Sequence, residues 1–417
     1  MKNKTLIIIV IIAATAAALS LGIYQKRTHQ INASLLQIEQ LMYERPDSAW
    51  KILQHMPPIS QLRKEEQALH ALLFTQAQYK NYIPVKSDSL LRIAEAYYRT
   101  SSDSLHKAWT LFYLAQYYRD SDEKEKALSY FQQANIASRN IENNQFKFLL
   151  NLHWAGLLTN EDAYEKGIEK YQTANRYAIL LKDTLKQINL YGKWGWCCLL
   201  KEEDERADSL FNVGLTLSAT TKDRIYDKYL LNRLSLTARE RKDYKRALEL
   251  VNRSLSLAKD STELYPLWGN KGKILLEMNQ YDSAHFYLSK DTRDYDPYFR
   301  VSRYLDWSIY EEKIKNLPKA LEYSKRYAEL LDTIYQERLD SKVANLQHKY
   351  DYSLIQSENK LLKIKRQRLY ISLTAICMAV LTVAVIFFYK RREEKRKLAE
   401  QMRSKDDLMK EMRLQLQ

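Results

Sequence analysis

The sequence contains very little of the two residues that shape tight turns. Glycine (8) and proline (7) make up 15 of its 417 residues, where an average protein of this length has about 50. Hairpin turns and phosphate-binding loops draw heavily on these residues. Their scarcity excludes an all-β fold, a glycine-rich nucleotide site and a collagen-like chain, and the sequence therefore predicts an all-α fold with long helices.

Residues that carry metal or nucleophilic chemistry are also scarce. The chain has 3 cysteines and 7 scattered histidines, and no histidine lies at metal-ligand spacing from Cys, Asp or Glu. It contains no P-loop, zinc-protease, hydrolase or kinase motif. Cys197 and Cys198 are adjacent and Cys377 lies in an apolar segment, so we expect free thiols. We predict a protein that is not an enzyme and that needs no metal ion and no cofactor.

Two long segments carry no charge. Residues 6–23 follow two lysines, and residues 1–25 are interpreted as a signal anchor or a signal peptide. Residues 369–389 are long enough to cross a bilayer and are predicted to form a transmembrane helix. The basic run 390–397 after this segment predicts an inner-membrane protein with a periplasmic repeat domain and a cytoplasmic C-terminus.

Most of the chain between these segments repeats itself. A small residue recurs at spacings of 40, 40, 40, 37 and 36 residues, and the residues around it follow the tetratricopeptide pattern, which encodes two antiparallel helices per repeat. Small side chains let the two helices approach closely, while aromatic residues fill the space between neighbouring pairs. We predict a solenoid of about eight helix pairs over residues 30–334. The small residues are Ala127, Gly167, Ala207, Ala247, Ala284 and Ala320.

The first helix of each pair is expected to face a concave groove. Repeat arrays use such grooves to bind extended peptides, and the aromatic and basic residues predicted to face this one suit an acidic or C-terminal carboxylate ligand. Packing between helices is the alternative role for each aromatic residue. The predicted groove residues are Trp109, Tyr113, Gln116, Arg119, His153, Lys193, Trp196, Asn232, Arg233, Arg239, Asn270 and Lys273.

Helical segments on both sides of the predicted span have heptad spacing. We predict a coiled-coil stalk over residues 335–368 and a cytoplasmic coiled coil over residues 390–417, both in a parallel homodimer. A single amphipathic helix on the inner leaflet is the alternative for the tail. The predicted dimer residues are Leu339, Val343, Leu346, Tyr350, Leu398, Met402, Met409, Met412 and Leu416.

The net charge of +15 is concentrated beside the apolar segments. Residues 1–30 carry +4 and residues 360–417 carry +9, which leaves +2 for residues 31–359. The excess therefore belongs to membrane flanks, and we expect this chain to make no direct contact with nucleic acid.

Several stretches resemble bacterial membrane-anchored tetratricopeptide-repeat regulators of Gram-negative gut anaerobes. The resemblance rests on Arg45–Leu53, Lys80–Ile83, Ser87–Leu91 and Glu400–Lys410. Longer relatives continue into a helix-turn-helix domain that binds DNA. The resemblance therefore implies a shortened member that acts through a partner, or a truncated reading frame, because Gln417 lies inside a heptad run.

Two functions remain open at the level of sequence. In the first, a protein or peptide binds the periplasmic groove and the change is relayed through the membrane to a cytoplasmic partner at the tail, as in a signalling or transcription-regulation adaptor. In the second, the chain is an envelope assembly scaffold that transmits no signal. They differ in whether residues 393–417 are needed.

Overall fold

A computed structural model describes residues 30–415, apart from residue 223 and residues 293–296. For residues 338–360 and 406–415 the structure describes the helical backbone but not the side chains. The predicted signal segment at residues 1–25 lies outside the described residues, so its interpretation stays a prediction.

The described residues form helices and turns without a β-strand, which confirms the predicted all-α solenoid. Sixteen α-helices and one short 3₁₀ turn, Ile59–Gln61, follow one another along this part of the chain. The helices are α1 (residues 30–44), α2 (Pro46–Gln54), α3 (Lys64–Lys80), α4 (Ser89–Tyr98), α5 (Ser104–Asp120), α6 (Lys124–Ala137), α7 (Asn144–Asn160), α8 (Tyr164–Leu181), α9 (Thr184–Leu200), α10 (Asp204–Ser218), α11 (Asp227–Glu240), α12 (Tyr244–Leu257), α13 (Ser261–Glu277), α14 (Tyr281–Lys290), α15 (Pro297–Lys313) and α16 (Leu317–Gln415).

Successive helices pack as antiparallel hairpins. Each first helix from α3 to α13 contacts its own second helix and also the first helix of the next hairpin. The backbones of the second helices do not approach one another in this way within the described part of the chain, although Arg92 on α4 donates a hydrogen bond to the Tyr130 hydroxyl on α6 at 2.7 Å. The first helices therefore form the inner, concave layer of the solenoid, and residues that they present to the inside share one groove.

The close approach within each hairpin depends on the recurring small residues. Ala127, Ala207, Ala247 and Ala284 are fully buried. Larger residues one turn away, such as Phe131 and Phe211, are fully buried as well. These positions explain why the repeat is visible in the sequence, since the facing helix leaves no room for a longer side chain.

The turns inside the hairpins share one geometry that does not use glycine. After α3, α5, α7, α9, α11, α13 and α15, the second residue beyond the helix has a left-handed backbone with φ between 56° and 65°. The next residue donates its N–H to a carbonyl of the last helical turn, as Glu123 does to Tyr118 at 2.8 Å. This is a Schellman motif. Its left-handed positions are Tyr82, Asp122, Asp162, Glu202, Lys242, Asn279 and Lys315.

An ionic cluster joins the first hairpin to the third. His106 on α5 lies between two carboxylates, with Nδ1 2.5 Å from Asp103 Oδ2 and Nε2 3.0 Å from Glu39 Oε1 on α1. Because each ring nitrogen faces an acceptor, both carry a proton. Burial alone lowers the pKa of His106, but the bonds to Glu39 and Asp103 outweigh it and raise the pKa to about 9.

We expect His106→Gln to destabilise the full chain in a pH-dependent way. The folded-state pKa lies above the unfolded value of about 6.5, so the stabilisation by the imidazolium is complete below that value and is lost as pH rises through 9. The variant should be less stable by about 1–3 kcal/mol at pH 6 and close to wild type near pH 10, measured as urea midpoints in detergent. His55→Gln, which alters an exposed histidine, is the control. A difference that stays constant from pH 6 to pH 10 would contradict the assignment.

The last helix, α16, includes the boundary between two parts of the chain. The contacts divide the chain into two compact units between Ser341 and Lys342, and α16 includes this point. Its segment Leu361–Lys405 is long and apolar enough to cross a membrane, with a mean hydropathy of 2.6 over its most apolar 18 residues. The predicted span at residues 369–389 lies within this segment.

Candidate functional site

Aromatic rings fill the N-terminal end of the concave groove. Trp109 and Tyr113 stack on each other with centroids 5.8 Å apart. Tyr43 from α1 contacts Trp109 at 6.4 Å, and Tyr79 from α3 stacks on Tyr113 at 5.5 Å. Trp109 is therefore 5% exposed and Tyr113 4% exposed. The prediction that these two side chains offer a binding surface needs correction, because neighbouring hairpins cover them. The four rings of Tyr43, Tyr79, Trp109 and Tyr113 form an aromatic plug.

The groove opens beyond the aromatic plug, at His153. Gln116 Nε2 and Arg119 Nη1 donate to His153 Nδ1 at 3.0 and 3.1 Å. Since Nδ1 accepts both bonds, the ring is neutral and its proton is on Nε2. Burial, with the charges of Arg119 and Lys193, lowers the pKa of His153 to about 3. Gln116 is buried, so of these three predicted residues only Arg119 and His153 line the open groove.

The first of two adjoining cavities lies at the centre of the groove. It encloses about 480 Å³ and is lined by Arg119, His153, Lys193, Trp196 and Arg233 among others. None of the described residues that line it is Asp or Glu. Its remaining wall is apolar or carries amide, hydroxyl and phenol groups, and these residues are Leu152, Gly156, Leu157, Thr159, Asn160, Tyr171, Ile188, Asn189, Gly192, Tyr226, Tyr229 and Leu230.

Two cations in this cavity have no carboxylate partner within the described part of the chain. The Arg233 guanidinium lies 3.5 Å from the centroid of the Trp196 ring, a cation–π contact. Burial lowers the pKa of Arg233 to about 10. Partial desolvation in the groove, with the nearby charges of Arg119 and Arg233, lowers the pKa of Lys193. The cavity is therefore a concave surface with uncompensated positive charge.

The second cavity continues the groove and shares Trp196 and Arg233 with the first. It encloses about 790 Å³ and is lined by residues of both charge signs. An amide network crosses its floor: Asn270 Nδ2 donates to Asn232 Oδ1 at 2.9 Å, and Arg239 Nη1 donates to Asn270 Oδ1 at 3.4 Å. Asn270 is buried and also donates to Ser235 Oγ at 3.2 Å, so its amide is used within the protein. The amide of Asn232, which Asn270 holds in the cavity lining, is suited to the hydrogen-bonding groups of a peptide backbone.

A buried ion pair closes the far side of the second cavity. Lys273 Nζ lies 2.9 Å from Asp306 Oδ1, and Asp306 on α15 is 6% exposed. Burial raises the pKa of Asp306 although Lys273 and Arg239 oppose the shift. This carboxylate was not among the residues predicted from the sequence, because the predicted groove residues end at Lys273 and the repeat spacing shortens from 40 to 37 and 36 residues beyond α12.

Nine of the twelve predicted groove residues line the two cavities, and their role in binding stays a prediction. Sequence reasoning missed the neutral polar residues of the first cavity. The 40-residue period could have found two of them, because Asn189 and Tyr229 occupy equivalent positions on α9 and α11. Tyr229 is 57% exposed at the cavity.

The predicted dimer residues lie mostly outside the described side chains. Leu398 and Met402 are described and are 62% and 63% exposed in the single chain. The others are Leu339, Val343, Leu346, Tyr350, Met409, Met412 and Leu416. Among the described residues, no group of three or more His, Cys, Asp or Glu side chains could hold a metal ion.

The hairpin stacking, the small-residue landmarks and the concave groove define a tetratricopeptide-like helical repeat protein. Solved structures share this fold. The apo form of the quorum sensor NprR from B. thuringiensis is 13% identical, over 76% of this chain and 98% of NprR, with a TM-score of 0.57. NprR in complex with its cognate peptide NprX is 14% identical, over 73% of this chain and 88% of that chain, with a TM-score of 0.54.

A second kind of protein has the same fold. A Rap protein in complex with Competence and Sporulation Factor is 10% identical, over 74% of this chain and 99% of that chain, with a TM-score of 0.54. No protein-family model and no curated protein sequence matches this chain. At these identities the comparisons establish the fold.

Proposed function

We propose that this chain is a membrane-anchored, non-enzymatic regulator or adaptor whose concave groove binds a peptide or a protein segment in the periplasm. The observation that carries the proposal is the pair of adjoining cavities on the inner layer of the solenoid. Together they form a groove with an aromatic plug at one end, uncompensated cations at its centre and amide groups along its floor. A concave surface of this kind fits an extended ligand.

The solved structures with the same fold support a peptide as the ligand. NprR was solved with its cognate peptide NprX and a Rap protein with Competence and Sporulation Factor. The two cavities enclose about 480 and 790 Å³, within the range of about 300–1,000 Å³ that is usual for ligand pockets. The groove is therefore suited to several consecutive residues of an extended chain.

The last helix supports the second part of the proposal, which is membrane anchoring and signal relay. α16 begins in the solenoid at Leu317 and also carries the uncharged residues 369–389, which lie within Leu361–Lys405. In the proposed arrangement residues 369–389 span the inner membrane, the stalk and tail pair in a homodimer, and the cytoplasmic tail binds a partner. Signalling between the two sides requires an element with two arrangements that the ligand can bias, and a paired helix is suited to that role.

Disulfide cross-linking at the tail tests binding and relay together. Met402→Cys, in a Cys377→Ser background, is reconstituted in vesicles, and a random peptide library is used to select binders of the full chain. We expect selected peptides to change the rate of Met402→Cys cross-linking between copies by a factor of two or more. Replacing Asn359 and Lys360 with glycines should abolish that change and leave peptide affinity unaltered, because two glycines weaken a helix by about 2 kcal/mol.

The outcomes separate the two functions. If no library peptide binds the full chain, the peptide-binding proposal is wrong. If peptides bind but cross-linking does not respond, and deletion of residues 393–417 leaves the cellular function intact, the scaffold function is the correct one.

A further inference from the structure

The repeat places a histidine, lysine or arginine at one equivalent position of four successive hairpins. His153, Lys193, Arg233 and Lys273 follow one another at intervals of 40 residues and lie on α7, α9, α11 and α13. Each of these helices belongs to the inner layer. We call these four residues the basic ladder. Each of them lines one or both cavities.

The last member of the basic ladder already binds a carboxylate. Lys273 Nζ lies 2.9 Å from Asp306 Oδ1. This carboxylate belongs to α15 in the next hairpin, and it occupies the place beside Lys273 that a ligand carboxylate would take beside the other members. Because Asp306 is 6% exposed, the pair persists in a largely dehydrated site. This pair therefore displays, within the chain itself, how the basic ladder receives a carboxylate.

The two middle members have no such partner. Lys193 and Arg233 lack a carboxylate partner within the described part of the chain, whereas Arg119, which lines the same cavity, is paired with Asp120 at 2.7 Å. Like charges in a partly desolvated site repel one another and favour an incoming anion. The face of the Arg233 guanidinium is held against Trp196, which leaves its N–H edge free to bind a carboxylate with two parallel hydrogen bonds.

We propose that Lys193 and Arg233 bind a carboxylate of the ligand, at the peptide C-terminus or on an Asp or Glu side chain. The inference rests on the proposed peptide-binding function and specifies which chemical group the peptide must carry. The amides of Asn160 and Asn189 line the same cavity and are suited to the adjoining peptide backbone. Ile188 and Leu230 supply an apolar wall for a neighbouring side chain.

Matched peptide arrays test the inference on the full chain in detergent. Each hexapeptide is presented once with a free C-terminal carboxylate and once as the C-terminal amide, in sets with and without internal Asp or Glu. We expect peptides that carry a carboxylate to bind about ten- to a hundredfold more tightly than carboxylate-free counterparts. If only peptides with a free C-terminus bind more tightly, the bound group is the terminal carboxylate. If tighter binding depends on an internal Asp or Glu, the bound group is that side chain. Equal binding with and without a carboxylate overturns the inference.

Charge-removing variants locate the effect. Lys193→Met and Arg233→Met should each lose most of the preference, and Lys193→Arg should keep it. Lys245→Met removes one charge from an exposed site on α12 and should leave the preference unchanged. Loss of the preference in Lys245→Met to the same extent would show nonspecific attraction and overturn the inference.

A thermal-shift measurement separates this inference from the proposed function. Acetyl-dialanine as the free acid, at millimolar concentration and matched ionic strength, should raise the melting temperature of the wild-type chain, whereas its amide should not. The rise should be absent in Lys193→Met. If this holds and no library peptide binds, the carboxylate site is correct and the peptide function fails. If peptides bind but the acid and the amide act alike in both measurements, only the inference fails.

Discussion

Phe211→Ala should lower the free energy of unfolding by about 3–5 kcal/mol. The Phe211 side chain is fully buried in the core between α9 and α10, and a cavity left there has little freedom to collapse because the surrounding helices pack on both sides. The loss is measured from the urea midpoint of the far-ultraviolet circular dichroism of the full chain in detergent. Phe286→Ala, at a side chain that is 51% exposed, is the matched control and should cost under about 1 kcal/mol.

The partner of Phe211 makes this prediction more specific. A Cβ atom on Gly195 would lie 2.5 Å from Phe211 Cε1, so Gly195→Ala alone should destabilise the fold by about 1–3 kcal/mol. In Gly195→Ala/Phe211→Ala the added methyl group enters space that the ring has left. The double variant should therefore lose less stability than the two single variants together. Additive losses would show that the glycine is not required by this ring.

Lys273→Met should cost about 3 kcal/mol at pH 8, since removing one partner leaves the charge of Asp306 buried and unpaired. Burial already raises the pKa of Asp306 in the wild-type chain, and loss of the lysine raises it further. A carboxyl whose folded pKa exceeds its unfolded value favours folding when it is protonated. The variant should therefore regain stability as the pH is lowered from 8 to 5, measured by urea midpoints.

A neutral counterpart controls for lost packing. Lys273→Met/Asp306→Asn leaves no charge in the pair and should recover much of the stability at pH 8. Its difference from wild type should change much less with pH than that of Lys273→Met. An equal loss for Lys273→Met at pH 5 and pH 8 would contradict the unpaired-charge explanation.

The turns show where composition was a good guide and where it was not. Scarce glycine and proline correctly predicted long helices, because extended β-structure with many tight turns needs those residues. The hairpins nevertheless contain left-handed turn residues, and Asp122, Glu202 and Lys242 occupy them. Their strain, about 1–2 kcal/mol each, is offset by the hydrogen bonds of the Schellman motif. A glycine count alone cannot reveal this, since the conformation is imposed by the packing of the two helices.

The sequence predicted which residues share the inner face of the solenoid, but it did not predict which of their side chains stay exposed. The 40-residue period identifies residues that share the inner face, and nine of the twelve predicted positions line the two cavities. The period says nothing about which of them remain open. Tyr43 from α1 and Tyr79 from α3 cover Trp109 and Tyr113, because packing brings side chains of separate hairpins together.

The sequence by itself determined that this protein is a helical repeat with an apolar segment near its C-terminus, since composition, period and hydropathy are local properties of the chain. The tertiary structure alone decided which cations of the basic ladder keep their charge uncompensated. Lys273 meets Asp306, whereas Lys193 and Arg233 meet no carboxylate among the described residues. The physical reason is that charge compensation depends on distances between separate hairpins, and these distances are set by superhelical packing rather than by spacing along the sequence.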